Sequence, residues 1–459
     1  MNTFLKEGSG SKSRTKAAGA DAAIRHVPNG SAYQRRRAQL ARRLGEGVVV
    51  LPTAPEAIRN ADTHYGYRFD SHFYYLTGFR EPEAVLVILA GKKPKSLLFC
   101  RDKNPEREVW DGYRYGPEAA RVACGMDEAH PIAALDSMLP ELLKNQPTLH
   151  TPVGLHADWD QRVMAWLNVV RAQFRSGVSA PAQIVDVREE IAEQRLIKDG
   201  AELAIMRRAA AISAGAHQRA MRVARPGSTE YEIEAELLHE FRRNGSQAPA
   251  YGSIVAAGPN ACVLHYVENS SHLKAGDLLL IDAGCELDGY ASDITRTFPV
   301  SGRFTGPQKD VYEVVLEAQL AAIKAVKPGA PFIAYHQMAV EVLAQGMIDL
   351  KLCKGSVDKI IETEDYRRFY MHRTGHWLGL DVHDSGAYMK SSKWRKLEPG
   401  MVLTVEPGMY IRPADNVPKA LWNVGVRIED DVLVTKKGRE VMTEAAPKKV
   451  ADIEALMSR

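Results

Sequence analysis

The chain has 459 residues, too many for one hydrophobic core, so two domains are expected. Its 45% hydrophobic and 25% charged residues are typical of a soluble globular protein, and a net charge of +3 gives no electrostatic support for a nucleic-acid partner. Five scattered cysteines without a C-x-x-C spacing favour a reducing compartment, the cytoplasm, over a disulfide scaffold or a structural zinc site. Apolar runs such as residues 85–90 are too short to span a bilayer, so no membrane partner is expected.

The first part of the chain predicts an α/β domain. Residues 1–30 are polar and rich in Gly, Ser and Ala, which predicts a disordered extension. Residues 31–195 then interleave amphipathic helices with apolar strands, which predicts an α/β N-terminal domain. The helices are expected at 32–44 and 156–174, and the strands at 47–52, 83–91 and 96–100.

From residue 196 onwards the pattern changes to helices followed by hairpin-like strands. Helices are expected at 200–224 and 228–245, with Ser228 as the N-cap of the second, and another at 310–326. Strand-like runs follow each helical stretch, at 278–298, 401–411 and 424–435. Residues 196–459 are therefore expected to form an α+β domain with an approximate internal duplication.

The run LLLIDAGCELDGYASDITRTF carries two aspartates that a hairpin would bring together. The dipeptide Asp288-Gly289 predicts a two-residue turn, which pairs Asp282 with Thr295. Asp293 then lies on the same face as Asp282, since side chains alternate with period two. Two diagonal carboxylates could hold metal ions about 3.5–4 Å apart. The alternative is one solvated aspartate and one that caps a turn.

Two glutamates occur on or at the ends of expected apolar strands. Glu406 follows an apolar strand and precedes Pro-Gly, and Glu429 lies in VGVRIEDDVLV. Both positions suit metal ligands, because a buried carboxylate needs a counter-charge. The alternatives are that Glu429 pairs with Arg427 and that Glu406 is only a charge at a strand end.

The stretch HRTGHWLGLDVHD contains three histidines. His372 and His376 have the spacing of a zincin, but Arg373 occupies the position of the required glutamate and Gly375 weakens a helix, which excludes a zinc-protease helix. Each histidine could be structural or a ligand. A set of four carboxylates and one imidazole favours Mn²⁺, Co²⁺ or Mg²⁺ over structural zinc. The two aspartates of this stretch, Asp381 and Asp384, are interpreted as structural.

Four segments together resemble aminopeptidase P, the Xaa-Pro aminopeptidases of bacterial type in the pita-bread metallopeptidase superfamily. They are IDAGCELDGYASDITRTFPV, HRTGHWLGLDVHD, VLTVEPGMYI and GVRIEDDV, and the resemblance extends from about Ala32 to the C-terminus. It implies an α/β N-terminal domain and an α+β pita-bread (creatinase/aminopeptidase) catalytic domain over residues 196–459. It also implies two divalent metal ions, expected to be Mn²⁺, with Co²⁺ or Zn²⁺ as alternatives.

The resemblance further implies a role for each matching residue. The metal ligands would be Asp282, Asp293, His376, Glu406 and Glu429. Glu406 would also be the general base, and the histidines that contact the scissile peptide would be His265 and His383. The pocket for the proline would contain His372 and Arg427, and the walls of the first-residue pocket Tyr251 and Tyr388. Trp110 would close the site of a neighbouring subunit, in a tetramer or a dimer.

The implied reaction is hydrolysis of the bond between the first residue of a peptide and a proline at position two. One alternative is a prolidase, which cleaves only Xaa-Pro dipeptides. Methionine aminopeptidase generally lacks so large an N-terminal domain, and creatinase works without metals, so both fit the sequence less well. A more distant alternative is a non-catalytic pita-bread binding module, against which the complete ligand set argues.

Overall fold

The computed structural model describes residues 30–458, which form two compact units divided between Val185 and Asp186. The expected extension over residues 1–30 lies outside the described residues except for Gly30, the first residue of a helix. The sequence placed the boundary after residue 195. In the structure, the helix that ends at Arg195 belongs to the second unit, because the buried Arg195 guanidinium pairs there with Asp384 at 2.5 Å.

The first unit is an α/β domain, as expected. Its helices are α1 (Gly30–Leu44), α2 (Ser71–Thr77), α3 (Pro105–Asp111), α4 (Gly116–Cys124), α5 (Leu135–Leu143) and α6 (Ala157–Arg171). Its strands are β1 (Gly47–Pro52), β2 (Ile58–Asn60), β3 (Thr63–His64), β4 (Val85–Ala90), β5 (Lys95–Cys100), β6 (Glu128–Pro131), β7 (Thr148–His150) and β8 (Gln183–Val185). The predicted strands β1, β4 and β5 and the predicted helices α1 and α6 are confirmed.

A mixed six-stranded sheet, in the order β6-β5-β4-β1-β7-β8, forms the centre of this unit. Its central strands read as nearly continuous apolar runs because both of their faces are buried. Helices α5 and α6 cover one face, where Trp159 and Trp166 pack against strand residues such as Val50 and Val87.

The second unit combines seven helices and thirteen strands within residues 186–458. The helices are α7 (Arg188–Arg195), α8 (Gly200–Val223), α9 (Glu230–Arg243), α10 (Gly306–Ala325), α11 (Ala334–Asp349), α12 (Val357–Glu362) and α13 (Val450–Met457). The strands are β9 (Ala248–Pro249), β10 (Ile254–Ala257), β11 (Leu278–Asp282), β12 (Cys285–Leu287), β13 (Tyr290–Ala291), β14 (Thr295–Pro299), β15 (Met389–Lys390), β16 (Lys393–Trp394), β17 (Val402–Val405), β18 (Gly408–Ile411), β19 (Val424–Arg427), β20 (Asp430–Thr435) and β21 (Gly438–Val441).

The α+β character of this unit is confirmed, with two differences from the sequence analysis. Helix α11 was not predicted, and it packs beside α10 just as α9 packs beside α8, so a helix pair precedes the strands in both halves. Ser228 is not the N-cap of α9. The N-cap is Thr229, whose backbone N–H donates to the Glu232 carboxylate at 2.7 Å. Within residues 30–458, no helix is long and apolar enough to cross a membrane.

The hairpin predicted from Asp-Gly is confirmed in its register. Strands β11 and β14 pair Asp282 with Thr295, and β12 and β13 continue the same register to the turn. Asp288 and Gly289 both have positive φ angles, 51° and 85°, as a type I′ turn requires. The turn therefore determines which face of the hairpin presents its carboxylates.

Candidate active site and metal centre

The second unit encloses a cavity of about 740 Å³ lined by both polar and aromatic side chains. The cavity brings together eleven of the twelve residues singled out from the sequence: Tyr251, His265, Asp282, Asp293, His372, His376, His383, Tyr388, Glu406, Arg427 and Glu429. The twelfth, Trp110, lies in the first unit on α3, where 82% of its surface is exposed, and it does not line this cavity. Residues separated by more than 170 positions thus converge on one site.

All four carboxylates stand where a strand ends or is interrupted. Asp282 is the last residue of β11, and Asp293 lies between β13 and β14. Glu406 separates β17 from β18, and Glu429 separates β19 from β20. The pairing of β17 with β20 and of β18 with β19 keeps one register across the interruption, which sets Glu406 opposite Glu429. The expectation that both glutamates lie on or at the ends of apolar strands is confirmed.

The imidazole of His376 completes this cluster. Its Nδ1 lies 2.9 Å from the Trp377 carbonyl oxygen, to which it donates, so its Nε2 carries the lone pair and faces the carboxylates. That Nε2 lies 3.5 Å from an Asp293 oxygen and 3.7 Å from a Glu406 oxygen. Ligand atoms of Asp293, His376 and Glu429 all fall within 4.8 Å of one another, a spacing that fits a metal ion.

The carboxylates repel one another strongly in this buried setting. Burial and the neighbouring Glu429 carboxylate raise the pKa of Glu406 to about 8. Burial and the Asp282 charge, with a further contribution from Glu406, hold the pKa of Asp293 well above its ordinary value. Burial and the charges of Asp293 and Asp282 do the same for Glu429. A cluster of oxygen donors with this excess of negative charge requires cations, so the donor set fits hard divalent metal ions.

Arg427 supplies one positive charge to the site, and it pairs with Asp282 rather than with Glu429. Its guanidinium donates to an Asp282 oxygen at 2.6 Å, whereas Glu429 accepts from the Thr295 hydroxyl at 2.6 Å. The alternative that Glu429 simply neutralises Arg427 is therefore wrong. Arg427 also donates to the Tyr410 hydroxyl at 2.9 Å, which fixes the guanidinium beside the carboxylates.

The histidines of HRTGHWLGLDVHD occupy different surroundings. His372 Nε2 lies 2.8 Å from the Tyr410 hydroxyl, and burial together with the Arg427 guanidinium lowers the pKa of His372 to about 3, so this ring is neutral. The ring of His383 packs edge-on against that of His376, with centroids 4.4 Å apart. Burial and His376 lower the pKa of His383, which also favours a neutral imidazole.

The tyrosines line two sides of the cavity. The Tyr251 hydroxyl donates to Asp282 at 2.7 Å and also contacts Asp293, so this side chain touches the carboxylates directly instead of serving only as a wall. The Tyr388 ring stacks on Trp377 and packs edge-on against Phe332, with centroids 5.5 and 4.8 Å apart.

Asp381 and Asp384 have structural contacts. Asp384 is fully buried and binds the Arg195 guanidinium at 2.5 Å and the Lys198 ammonium at 2.9 Å. Asp381 accepts a hydrogen bond from the same guanidinium at 2.7 Å. These contacts agree with their interpretation as structural residues, since they tie the end of α7 and the residues after it to the segment that contains Asp381 and Asp384.

Several residues that line the cavity were not singled out as site residues from the sequence. They are Phe332, Arg373, Met389 and Trp394 on one side and Ile254, Leu264, Val267 and Val382 elsewhere. Arg373 was noticed as the residue that rules out a zincin and as part of a departure from the family pattern, Arg373-Thr374-Gly375, that could alter the pocket. Tyr410 was quoted within a strand motif, although its hydroxyl connects His372 to Arg427.

Comparisons with known proteins agree with the site. The model of metallopeptidase family M24 matches residues 204–436, and that of the aminopeptidase P N-terminal domain matches residues 33–150. The chain is 44% identical to the Xaa-Pro aminopeptidase of Escherichia coli K12 over 93% of its own length and 97% of that protein's. The structure of aminopeptidase PepP from Pseudomonas aeruginosa superposes with a TM-score of 0.92 at 50% identity, covering 94% of this chain and 98% of that one.

A second solved structure, of an E. coli aminopeptidase P variant in complex with substrate, matches with a TM-score of 0.91 at 43% identity over 93% of this chain and 98% of that one. These likenesses confirm the expected fold class, an α/β N-terminal domain followed by a pita-bread catalytic domain. They also agree with the donor set in implying divalent metal ions. The chain belongs to the aminopeptidase P (Xaa-Pro aminopeptidase) family of the M24 metallopeptidases.

Proposed function

We propose that this protein is a metal-dependent aminopeptidase that hydrolyses the bond between the first residue of a peptide and a proline at position two, releasing the first residue. The observation that carries the proposal is the convergence of four carboxylates and one imidazole Nε2 on a single cavity. Membership of the aminopeptidase P family supports the same reaction.

Five side chains would hold two divalent ions: Asp282, Asp293, His376, Glu406 and Glu429. Mn²⁺ is proposed first, with Co²⁺ or Zn²⁺ as alternatives, because oxygen donors dominate the set. When bound, the ions would supply activation of water at neutral pH and polarisation of the scissile carbonyl. His376 would contribute through Nε2, whose orientation the Nδ1 bond to the Trp377 carbonyl maintains.

Proton transfer is assigned to Glu406 and two histidines. Glu406 accepts the proton of the attacking water, since its carboxylate lines the cavity beside His376. His383 and His265 also line the cavity, and their N–H groups would donate hydrogen bonds to the oxygen that gains charge as the carbonyl becomes tetrahedral. The lowered pKa of His383 keeps its ring neutral, with one N–H to donate.

Substrate selection is assigned to the two sides of the cavity. His372 and Arg427 border the site of the proline, and Tyr410 holds both of them by hydrogen bonds of 2.8 and 2.9 Å. Tyr251 and Tyr388 border the site of the first residue. Because Tyr251 also touches the carboxylates, it would restrict the space for any residue that precedes the first-residue site, and so favour cleavage at the N-terminus.

We further propose a homo-oligomer, a tetramer or a dimer, and a cytoplasmic location. The exposed Val109 and Trp110, each 82% accessible on α3, support a subunit contact in which Trp110 closes a neighbouring site. The five cysteines are all unpaired, and four of them are buried, which supports a reducing compartment.

The test is hydrolysis of Ala-Pro-Leu and of the dipeptide Ala-Pro after metal removal and reconstitution with Mn²⁺, Co²⁺ or Zn²⁺. The proposal expects release of alanine from the tripeptide only when metal is present. Cleavage of the dipeptide alone would identify a prolidase instead, and absence of cleavage with every metal would remove the proposed activity.

The role of Glu406 is tested with Glu406→Gln, which keeps the side-chain shape but cannot accept a proton. The variant is expected to lose activity by at least about 10²-fold while remaining folded. Glu398→Gln is the matched control, because Glu398 is exposed and lies outside the cavity on the segment that leads into β17. Full activity in Glu406→Gln would remove the general-base assignment.

A further inference from the structure

Two arginines line the catalytic cavity, and they differ in their partners. Arg427 is buried and ion-paired with Asp282 at 2.6 Å. Arg373 also lines the cavity, is exposed, and is not ion-paired with any carboxylate within residues 30–458. One positive charge on the cavity wall is therefore available to a ligand.

The Arg373 guanidinium is held in place by an aromatic ring. Its central carbon lies 5.2 Å from the centroid of the Trp394 ring, within the range of a cation–π contact. Trp394 in turn lies against Phe332, with nearly parallel rings and centroids 6.3 Å apart. Phe332 packs edge-on against Tyr388 at 4.8 Å, so a row of three aromatic rings leads from Tyr388 to the guanidinium.

This row lies on the side of the cavity assigned to the first residue of the substrate. The His372–Tyr410–Arg427 group, assigned to the proline, is formed by other residues that interact with one another. Arg373 lines the same cavity as Tyr388, so an acidic side chain on the first residue would share that cavity with the guanidinium.

From this arrangement we infer that Arg373, positioned by Trp394, determines specificity for the first residue and favours peptides that begin with an acidic side chain. The inference rests on the proposed Xaa-Pro aminopeptidase activity and adds a substrate class to it. A glutamate at position one gains an ion pair with the guanidinium, whereas a lysine there meets a like charge.

The size of the effect follows from the exposure of Arg373. An exposed ion pair contributes at most about 1 kcal/mol, equivalent to about fivefold in kcat/KM. Since solvent ions screen exposed charges, the preference is expected to decrease as salt is raised.

The experiment compares Glu-Pro-Leu, Gln-Pro-Leu and Lys-Pro-Leu with the metal-reconstituted full chain. Wild-type protein is expected to cleave Glu-Pro-Leu with the highest kcat/KM and Lys-Pro-Leu with the lowest. Arg373→Gln should lower the Glu-to-Gln ratio by about fivefold, and Arg373→Lys should retain part of the preference because it keeps the charge. Arg373→Glu should invert the order of the glutamate and lysine peptides.

Arg175→Gln is the matched control, because Arg175 is an exposed arginine over an aromatic ring, Phe174, in the first unit. Its Glu-to-Gln ratio should equal that of wild type. An unchanged ratio in Arg373→Gln would overturn the inference while leaving the peptidase assignment intact. Failure of the wild type to cleave any of the three peptides would remove the peptidase assignment itself, and the inference with it.

Discussion

The crowding of carboxylates predicts that the metal-free protein is destabilised by its own active site. Glu406 is the clearest case, because burial and Glu429 raise its pKa from 4.5 to about 8. In the unfolded chain this carboxyl ionises near its ordinary value. Between those two pKa values the folded protein therefore holds a proton that the unfolded chain has released, and stability falls as pH rises.

The magnitude follows from the difference in pKa. At about 1.4 kcal/mol for each pKa unit, the full penalty reaches about 5 kcal/mol above pH 8, and about 3 kcal/mol of it develops between about pH 5.5 and about pH 8.5. The neutral side chain of Glu406→Gln cannot ionise. The metal-free variant should therefore be more stable than metal-free wild type at the higher pH, and its stability should vary less with pH.

The assay measures the free energy of unfolding of the chelator-treated proteins in denaturant at about pH 5.5 and about pH 8.5. The measurement is then repeated after addition of Mn²⁺. Metal should stabilise wild type more than the variant, since the ions relieve the repulsion that the substitution has already reduced. Glu398→Gln, which changes an exposed glutamate outside the cavity, should behave like wild type. Equal pH dependence in wild type and Glu406→Gln would refute the electrostatic reasoning.

Three further predictions concern contacts outside the carboxylate cluster. Asp384→Asn leaves two buried cations short of a partner and should lower the free energy of unfolding by about 3–5 kcal/mol in denaturant titrations. Asp199→Ala removes the N-cap that accepts two backbone N–H groups of α8 at 2.9 and 3.0 Å, and should cost about 1 kcal/mol in the same assay. The buried ring of His217 has its pKa lowered by burial to about 4. As pH falls from about 6.5 to about 4, the unfolded chain takes up a proton at this histidine while the folded protein does not, so the free energy of unfolding should fall by up to about 3 kcal/mol. The variant His217→Gln should not show this loss.

Each of these predictions has a control within the chain. Asp415→Asn changes an exposed aspartate and should be neutral, so an equal loss there would contradict the buried-charge argument for Asp384. Asp199→Ser should restore most of the capping effect. His217→Gln is its own control, since a wild-type pH profile that persists in this variant would contradict the assignment to the buried ring.

Local features of the sequence predicted much of the fold correctly. The Asp-Gly turn and the two-residue alternation of strand side chains were sufficient to pair Asp282 with Thr295, because both effects act over a few residues. The apolar runs of β1, β4 and β5 were equally clear, since buried strands leave no polar face. The N-cap of α9 was misplaced by one residue, because Ser228 and Thr229 are both good caps and only the reach of Glu232 decides between them.

Other parts of the fold had weaker local signals. Helix α11 was not predicted, and α7 was assigned to the first domain although it belongs to the second unit. In the second case the deciding contact, between Arg195 and Asp384, joins residues 189 positions apart. Contacts of that separation depend on how helices and strands pack, which a local pattern does not contain.

The sequence by itself singled out the candidate site residues, four carboxylates and the histidines, and showed a family resemblance. Only the tertiary structure decided how they are arranged. It set Glu406 opposite Glu429, paired Arg427 with Asp282, and placed Arg373 over Trp394 on the cavity wall. The physical reason is that residue type and strand position are local properties, whereas charge pairing and cavity lining arise where segments far apart in the chain meet.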